Sequence, residues 1–277
     1  MNALATFGHR GAALVALLAV ALMAVEYLFH KVNHIGSHDA RETAVSLAIA
    51  IGNKVTGLIT AGVIAVPLVL VYRHRLFDIP LDTVWAWLAL FVGVEFCYYL
   101  HHVAMHKVNW FWATHSVHHS PTRLNLSAAV RLGWGGPLTG GFLFYLPLVA
   151  LGFHPAAVFG MLAAGLLYQF FLHLAYPPHL GPLEWLLNTP RHHQVHHASN
   201  EACLDKNFGA VLIVFDRLFG TFAEAPKDVS LRFGLAGTAP TLNPLKVVFG
   251  VWGKILREAA RAKGLSGKLR ALFGAPA

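Results

Sequence analysis

The sequence predicts an all-α integral membrane protein: a bundle of about four to five transmembrane helices with a cytosolic helical cap that carries histidine boxes. Three observations predict it. Of 277 residues, 56% are hydrophobic and only 12% charged, roughly half the charge of a soluble domain. Apolar runs of about 20 residues, the length a helix needs to cross the hydrocarbon core, recur along the first two thirds of the chain. Thirteen of the 18 histidines fall between His101 and His197, and no Asp or Glu occurs between Phe96 and Leu183.

The first span is Gly11–Phe29. It reads as a retained helix and not a cleaved leader, because it exceeds the ~7–15 apolar residues of a leader and no convincing cleavage site follows. Val45–Tyr72 is a second span, interrupted by Asn53, Lys54 and Pro67. Thr83–Leu100 is a third and runs straight into the first histidines. Pro137–Phe153 and Pro155–Leu174 make a fourth and a fifth, a hairpin through Gly152-Phe153-His154-Pro155 that either crosses fully or dips in and returns. After the last histidines comes a short amphipathic piece, Phe208–Phe219. From Lys246 to Phe273, Val247, Val248, Val251 and Ile255 alternate with Lys254, Arg257 and Arg261 at helical spacing. Such a basic amphipathic helix is expected to lie in the membrane interface. The chain thus divides into N-terminal membrane helices (1–80), a histidine-box catalytic region (81–225) and a basic amphipathic C-terminal tail (226–277).

The net charge is +8, and 15 of the 21 Lys and Arg follow Leu100. With no soluble, aromatic-studded basic face, this argues for anionic lipid headgroups and against nucleic acid. Lys107, Arg123, Arg131, Arg191, Lys206 and Arg217 flank the histidines and place them on the cytoplasmic side. Arg73 and Arg75 then fall outside, unless the second segment only partly spans. The compact, Ala- and Gly-rich chain, with no basic retention signal at its end, suggests a bacterial inner membrane. Cys97 and Cys203 read as free thiols, neither a disulfide scaffold nor a thiolate metal site.

His102 and His106 stand four residues apart, and His115, His118, His119 repeat the i, i+3, i+4 spacing of His193, His196, His197. Each set shares a helical face and can aim its rings at one point. His173 adds another. Nine nitrogens exceed the needs of one ion; two ions with about four imidazoles each is the natural count. His115-Ser-Val-His-His-Ser and His193-Gln-Val-His-His-Ala-Ser nearly repeat, 78 residues apart, like two half-sites. His101 and His192 lie beside ligands but about 100° round a helix from them, so they are expected to surround the site, and His179 is a further candidate. His9, His30, His34, His38, His74 and His154 are isolated and read as ordinary structural histidines.

Imidazole suits Zn, Cu, Fe and Ni. The zinc-protease pattern His-Glu-x-x-His is absent, since Val103 and Ala104 follow His102, and hydrolysis lacks a carboxylate base. An all-histidine pair of ions at a membrane face favours iron and dioxygen chemistry on a lipid C–H bond, where acid–base catalysis has nothing to act on. No Gly-rich dinucleotide fingerprint occurs, so electrons must come from a separate protein. A histidine-lined membrane metal transporter is the reading from another class, but transporter sites lie at mid-bilayer in broken helices, whereas these boxes follow helix ends.

Glu95-Phe-Cys-Tyr-Tyr-Leu-His-His102-x3-His106, Trp110-Phe-Trp112-x2-His115-Ser-Val-His118-His119-Ser and Asn188-Thr-Pro-Arg-His-His-Gln-Val-His196-His197 resemble the boxes of the fatty acid hydroxylase / sterol desaturase superfamily. Gly181-Pro-Leu-Glu184, Asp205-Lys-Asn207-Phe-Gly209 and the stretch from Asp216 to Phe222 match as well. The resemblance runs from about Pro80 to Phe222, and the third box is worded most like the alkylglycerol monooxygenase-like branch. It implies a membrane-bound non-haem di-iron enzyme: two Fe ions, O2, a lipid substrate to hydroxylate or desaturate, and an external electron donor such as a cytochrome b5, a ferredoxin or a reductase. The implied ligands are His102, His106, His115, His118, His119, His173, His193, His196 and His197, with Asn188 and Asn207 in surrounding or structural positions. This chain departs from the family in Leu100-His101 where tryptophan is usual, Val103 where arginine is, Arg191 where serine is common, and Leu174-Ala175-Tyr176 after His173, with no acid. Tyr98, Tyr99, Trp110 and Trp112 are candidates to line the lipid cleft.

Overall fold

The computed structural model describes the backbone of residues 2–276 and the side chains from residue 13 onward, which leaves His9 outside the described side chains. In chain order the helices are α1 (Asn2–Val32), α2 (Ala40–Arg73), α3 (Val84–Lys107), α4 (Asn109–His115), α5 (Leu126–Ala129), α6 (Leu146–Leu151), α7 (Pro155–Leu172), α8 (Pro190–His197), α9 (Val214–Phe219), α10 (Pro244–Arg261) and α11 (Gly264–Phe273). Among the described residues there is no strand, only the isolated bridges Leu187–Leu212 and Ala198–Phe233. The protein is an all-α integral membrane protein: Ala13–Val32 within α1, all of α2, α3 and α7 are long and apolar enough to cross a membrane.

Caps set where these helices begin. Asp39 accepts from the Arg41 and Glu42 N–H groups at the start of α2, Thr83 from Ala86 at α3, and His154 Nδ1 from Ala156 at α7, where Pro155 occupies the first turn. α2 is 34 residues long, about 50 Å at 1.5 Å per residue. The helix is continuous through the polar residues: Lys54 stays exposed and Asn53 Nδ2 donates to Gly133 O (2.8 Å), so neither interrupts it.

The expected fourth span, Pro137–Phe153, is not a continuous helix. It runs as two 3₁₀ turns, Gly136–Thr139 and Gly141–Tyr145, and then the six-residue α6. Gly135 and Gly140 are left-handed (φ 74° and 85°), and Pro137 and Pro147 lack the N–H groups that would continue a helix. The segment nevertheless joins the two ends of the bundle. It leaves α2 near Ile49, whose carbonyl accepts from Trp134 Nε1 (2.8 Å), and ends where Leu76 N–H donates to Ala150 O (2.8 Å). Broken backbone at membrane depth is tolerated only inside protein, and this pass is tucked against α2 and α3. Gly52 and Gly93 let it in: a Cβ at Gly52 would lie 2.1 Å from the Trp134 ring, and one at Gly93 2.8 Å from Leu148. Leu68, Leu90, Val94, Tyr145, Val149 and Val158 form the apolar core around it, while Leu58 and Ile59 of α2 point outward, 82% and 78% exposed.

α3 and α7 end, and α2 begins, at one end of the bundle, which α4, α5 and α8 cap. The tail differs from expectation. Val247, Val248, Ile255 and Ala259 of α10 are buried, with Val247 and Val248 packed against Val45, Ile49 and Val117, so that stripe faces protein and not lipid. α11 returns onto α4, where Asn109 N–H donates to Gly274 O (2.9 Å) and Trp110 packs on Trp252 and Phe273.

Candidate metal centre

α3 ends in His102 and His106, one turn apart and both buried. α4 is only seven residues long and stops at His115. His118 and His119 follow in a turn held by their N–H groups on His115 O (2.8 and 3.3 Å), so the second box is not wholly helical. Pro190 starts α8, which carries His193, His196 and His197. His173 caps the C-terminus of α7.

All nine rings converge, but not box by box. His102, His106, His115, His119 and His196 form one group and His118, His173, His193 and His197 another; within each, one ring nitrogen per residue lies within 4.8 Å of the others. The second and third boxes each straddle both groups, which corrects the expectation that each box aims at a single point. The division is five and four. Nε2–Nε2 separations are 3.0 Å for His102–His115, 3.1 Å for His115–His119, 3.2 Å for His118–His173 and His173–His193, and 3.1 Å for His193–His197. Two nitrogens each ~2.1 Å from a shared ion would sit ~3.0–3.4 Å apart at right to tetrahedral angles. The His119 and His197 rings stack at 4.4 Å and join the groups.

The outer nitrogens decide what the inner ones can do. His102 Nδ1 meets Phe208 O (2.7 Å), His118 Nδ1 Arg131 O (3.3 Å), His173 Nδ1 Gln169 O (2.8 Å) and His196 Nδ1 Lys206 O (2.8 Å). A carbonyl only accepts, so each Nδ1 carries the proton and each Nε2 is a lone pair. Burial, with neighbouring imidazoles, holds His115, His118, His119, His193, His196 and His197 well below the usual histidine range, and burial brings His173 down to about 4. The rings are therefore neutral. His118 and His173 then confront each other lone pair to lone pair at 3.2 Å, which is repulsive unless a cation lies between them. His106 Nε2 and His196 Nε2 are likewise buried with no hydrogen-bond partner. The residues fit metal ions.

Two carbonyls come from a loop whose part the sequence did not disclose. Asp205 and Asn207, on either side of Lys206, are left-handed (φ 58° each), a conformation Asp and Asn tolerate better than most residues. This turns Lys206 O toward His196 and Phe208 O toward His102. Asp216 fixes the loop by accepting from the Phe208 and Gly209 N–H groups and from Thr221 Oγ1, all at 2.7 Å. Asn207 Nδ2 donates to His192 O and Ala223 O, and Asn188 Nδ2 to Gly209 O (2.6 Å). Glu95 Oε2 accepts from the Val211 and Leu212 N–H groups. On the opposite side Arg131 ties Ser120 to Ser46 and Glu42 O of α2. Asp205 itself approaches His106 Nδ1 (3.5 Å), and its hydrogen bond with that ring is the main cause that holds its carboxyl below the usual range.

The other expected neighbours separate. Asn188, Asn207 and His192 lie buried behind the third box, His192 against Phe222. His101 turns away: its ring stacks on Phe144 and fills the space at Gly141. His179 is exposed and faces Glu184. His101 leaves the cluster because its neighbour His102, not it, shares the face, and His179 lies in the loop that follows α7. Tyr98 touches His102 and donates to Gln169 (2.6 Å), and Trp112 packs on His106 and His119, whereas Tyr99 stacks on Phe219 and Trp110 on the tail.

The fatty acid hydroxylase family matches residues 87–221, the stretch that holds all nine histidines. The alkylglycerol monooxygenase of Homo sapiens is 42% identical over 206 residues, 74% of this chain and 45% of that protein; its Xenopus tropicalis counterpart is 38% identical over 205 residues, with the same two coverages. The ornithine lipid hydroxylase OlsE of Rhizobium tropici is 33% identical over 147 residues, 53% of this chain and 44% of that protein. The chain thus spans less than half the length of these relatives. No solved structure matches it.

Proposed function

Because the chain belongs to the fatty acid hydroxylase / sterol desaturase superfamily, in its alkylglycerol monooxygenase-like branch, we propose that it is a membrane-bound non-haem di-iron oxygenase that hydroxylates a lipid C–H bond. The observation that carries this reading is the His118–His173 pair: both protonated Nδ1 atoms are committed to carbonyls, which leaves their Nε2 lone pairs 3.2 Å apart and facing each other. His102, His106, His115, His119 and His196 would hold one iron, and His118, His173, His193 and His197 the other. Iron bound there supplies the reduction of O2 to an oxidant able to attack an unactivated C–H bond, with two electrons drawn from a separate cytochrome b5, ferredoxin or reductase.

The chain's own groups prepare that chemistry. Phe208 O, Gln169 O and Lys206 O fix the orientation of the rings, and burial of all nine keeps bulk water from the lone pairs. No carboxylate shares either group. Tyr98 and Trp112 offer apolar contact at the cluster's edge to a chain entering from the bilayer. An alkylglycerol is the first substrate to test, on the strength of the human relative. The cations Lys107, Arg123, Arg191 and Lys206 around the capped end support a cytoplasmic placement, in a bacterial inner membrane on the composition. The exposed rim of α10 (Leu245, Phe249, Leu256) beside Lys246 and Arg257 suits its headgroup region.

The test uses membranes bearing the protein, supplied with an electron donor, isotopically heavy O2 and an alkylglycerol. A product heavier by one labelled oxygen is expected. A product lighter by two hydrogens with no label would make the enzyme a desaturase, and metal uptake without any lipid product would make it a transporter.

A further inference from the structure

The first membrane helix breaks its apolar pattern once with an acid. Glu26 is the sole acidic residue of the Ala13–Val32 span. An ionisable group there costs about 2.5–3.5 kcal/mol on insertion scales and normally faces protein. Glu26 does: it is 7% exposed on a helix that mostly faces outward. Its Oε2 accepts from the Leu126 N–H (2.8 Å) and its Oε1 from the Ala175 N–H (2.9 Å). His38 Nε2 stands 3.3 Å from Oε2, and Ser37 Oγ links His38 Nδ1 (3.0 Å) to His30 Nδ1 (2.6 Å). His30 and His38, isolated in sequence, are thus members of one buried network with Glu26.

The two backbone donors flank the four-histidine pocket. Leu126 opens α5, and five residues later Arg131 O receives His118 Nδ1. Ala175 is two residues beyond His173. One carboxylate therefore ties the segment whose Arg131 carbonyl orients His118 to the segment that follows His173, and the Nε2 atoms of those two rings are 3.2 Å apart. Neither segment has an acid of its own, since none occurs between Phe96 and Leu183. The clamp comes from outside residues 87–221, from α1, and its hydrogen bonds reach no member of the five-histidine group.

We propose that Glu26 is a positioning residue that holds His118 and His173 at ion-binding separation, so that the N-terminal helix completes the four-histidine pocket. This rests on the two-ion reading above. The experiment titrates metal-stripped protein in lipid nanodiscs with ferrous ion under anaerobic conditions and counts equivalents bound. Wild type should bind two. Glu26→Leu should keep one unchanged and weaken the other ~10–100-fold, the range seen when a group orienting a ligand is lost; the retained ion should match the one kept by His193→Ala. Glu26→Gln, with one acceptor oxygen left, should fall between, and His34→Ala should match wild type. Two unchanged equivalents in Glu26→Leu, or parallel weakening of both, would overturn the proposal. If Glu26→Leu does not fold, Glu26→Gln decides: wild-type affinity at both pockets overturns it. No iron in wild type would instead refute the two-ion reading, whatever Glu26 does.

Discussion

His196 works from both sides of its ring, with Nδ1 on Lys206 O and a buried Nε2 turned into the five-histidine group. His196→Ala should abolish lipid turnover and lower bound iron toward one per chain, whereas exposed His34→Ala should change neither; metal analysis and product formation check this. Asp216 acts at one remove. Asp216→Ala would leave the Phe208 and Gly209 N–H groups buried without an acceptor, at about 1–3 kcal/mol each, and would free Phe208 O from His102. A lowered Tm together with partial iron loss is the expected outcome. The nine histidines were legible because their spacing is side-chain information. Their division into five and four was not, since neighbours such as His118 and His119 point to different groups once the helix stops at His115. The carbonyls of Phe208 and Lys206 were hidden for a simpler reason: every residue has one. The only trace was Asp205 and Asn207, residues that accept a left-handed backbone.

The membrane helices were equally legible for α2, α3 and α7, where apolar runs and caps coincide, and for α1 from its apolar run alone. The broken pass between Gly136 and Leu151 was not, because hydropathy counts apolar residues and is blind to Gly135, Pro137, Gly140 and Pro147 acting together. Its fit depends on Gly52. Gly52→Val would place methyl groups where the Trp134 ring lies, and the overpacking should cost about 1–3 kcal/mol, read as a fall in Tm. The tail is the reverse case: its amphipathic pattern predicts a helix, which forms, but the apolar stripe packs on protein where lipid was expected. Spacing of apolar residues tells that a face is buried, not against what. Ile255 is 1% exposed, so Ile255→Ala should cost about 2–5 kcal/mol and loosen the α10–α11 brace on α4, measurable as faster amide exchange around Asn109–His115.

The assembled molecule gathers four helix ends, a turn and a carbonyl-presenting loop at one end of a lipid-embedded bundle, and two clamps from the N-terminal helices, Glu26 and the Glu42 carbonyl that holds Arg131, close around them. The resemblance covers the boxes; it says little about α1, α2 or the tail, which is why their share in building the pocket had to be found in the structure. What they jointly enclose is a pair of nitrogen cages on a protein whose relatives include an alkylglycerol monooxygenase and an ornithine lipid hydroxylase. Anomalous scattering at the iron edge from crystals of the iron-loaded protein should give two peaks per chain, one among His102, His106, His115, His119 and His196 and one among His118, His173, His193 and His197. A single peak, or iron bound anywhere else, would contradict the two-ion centre.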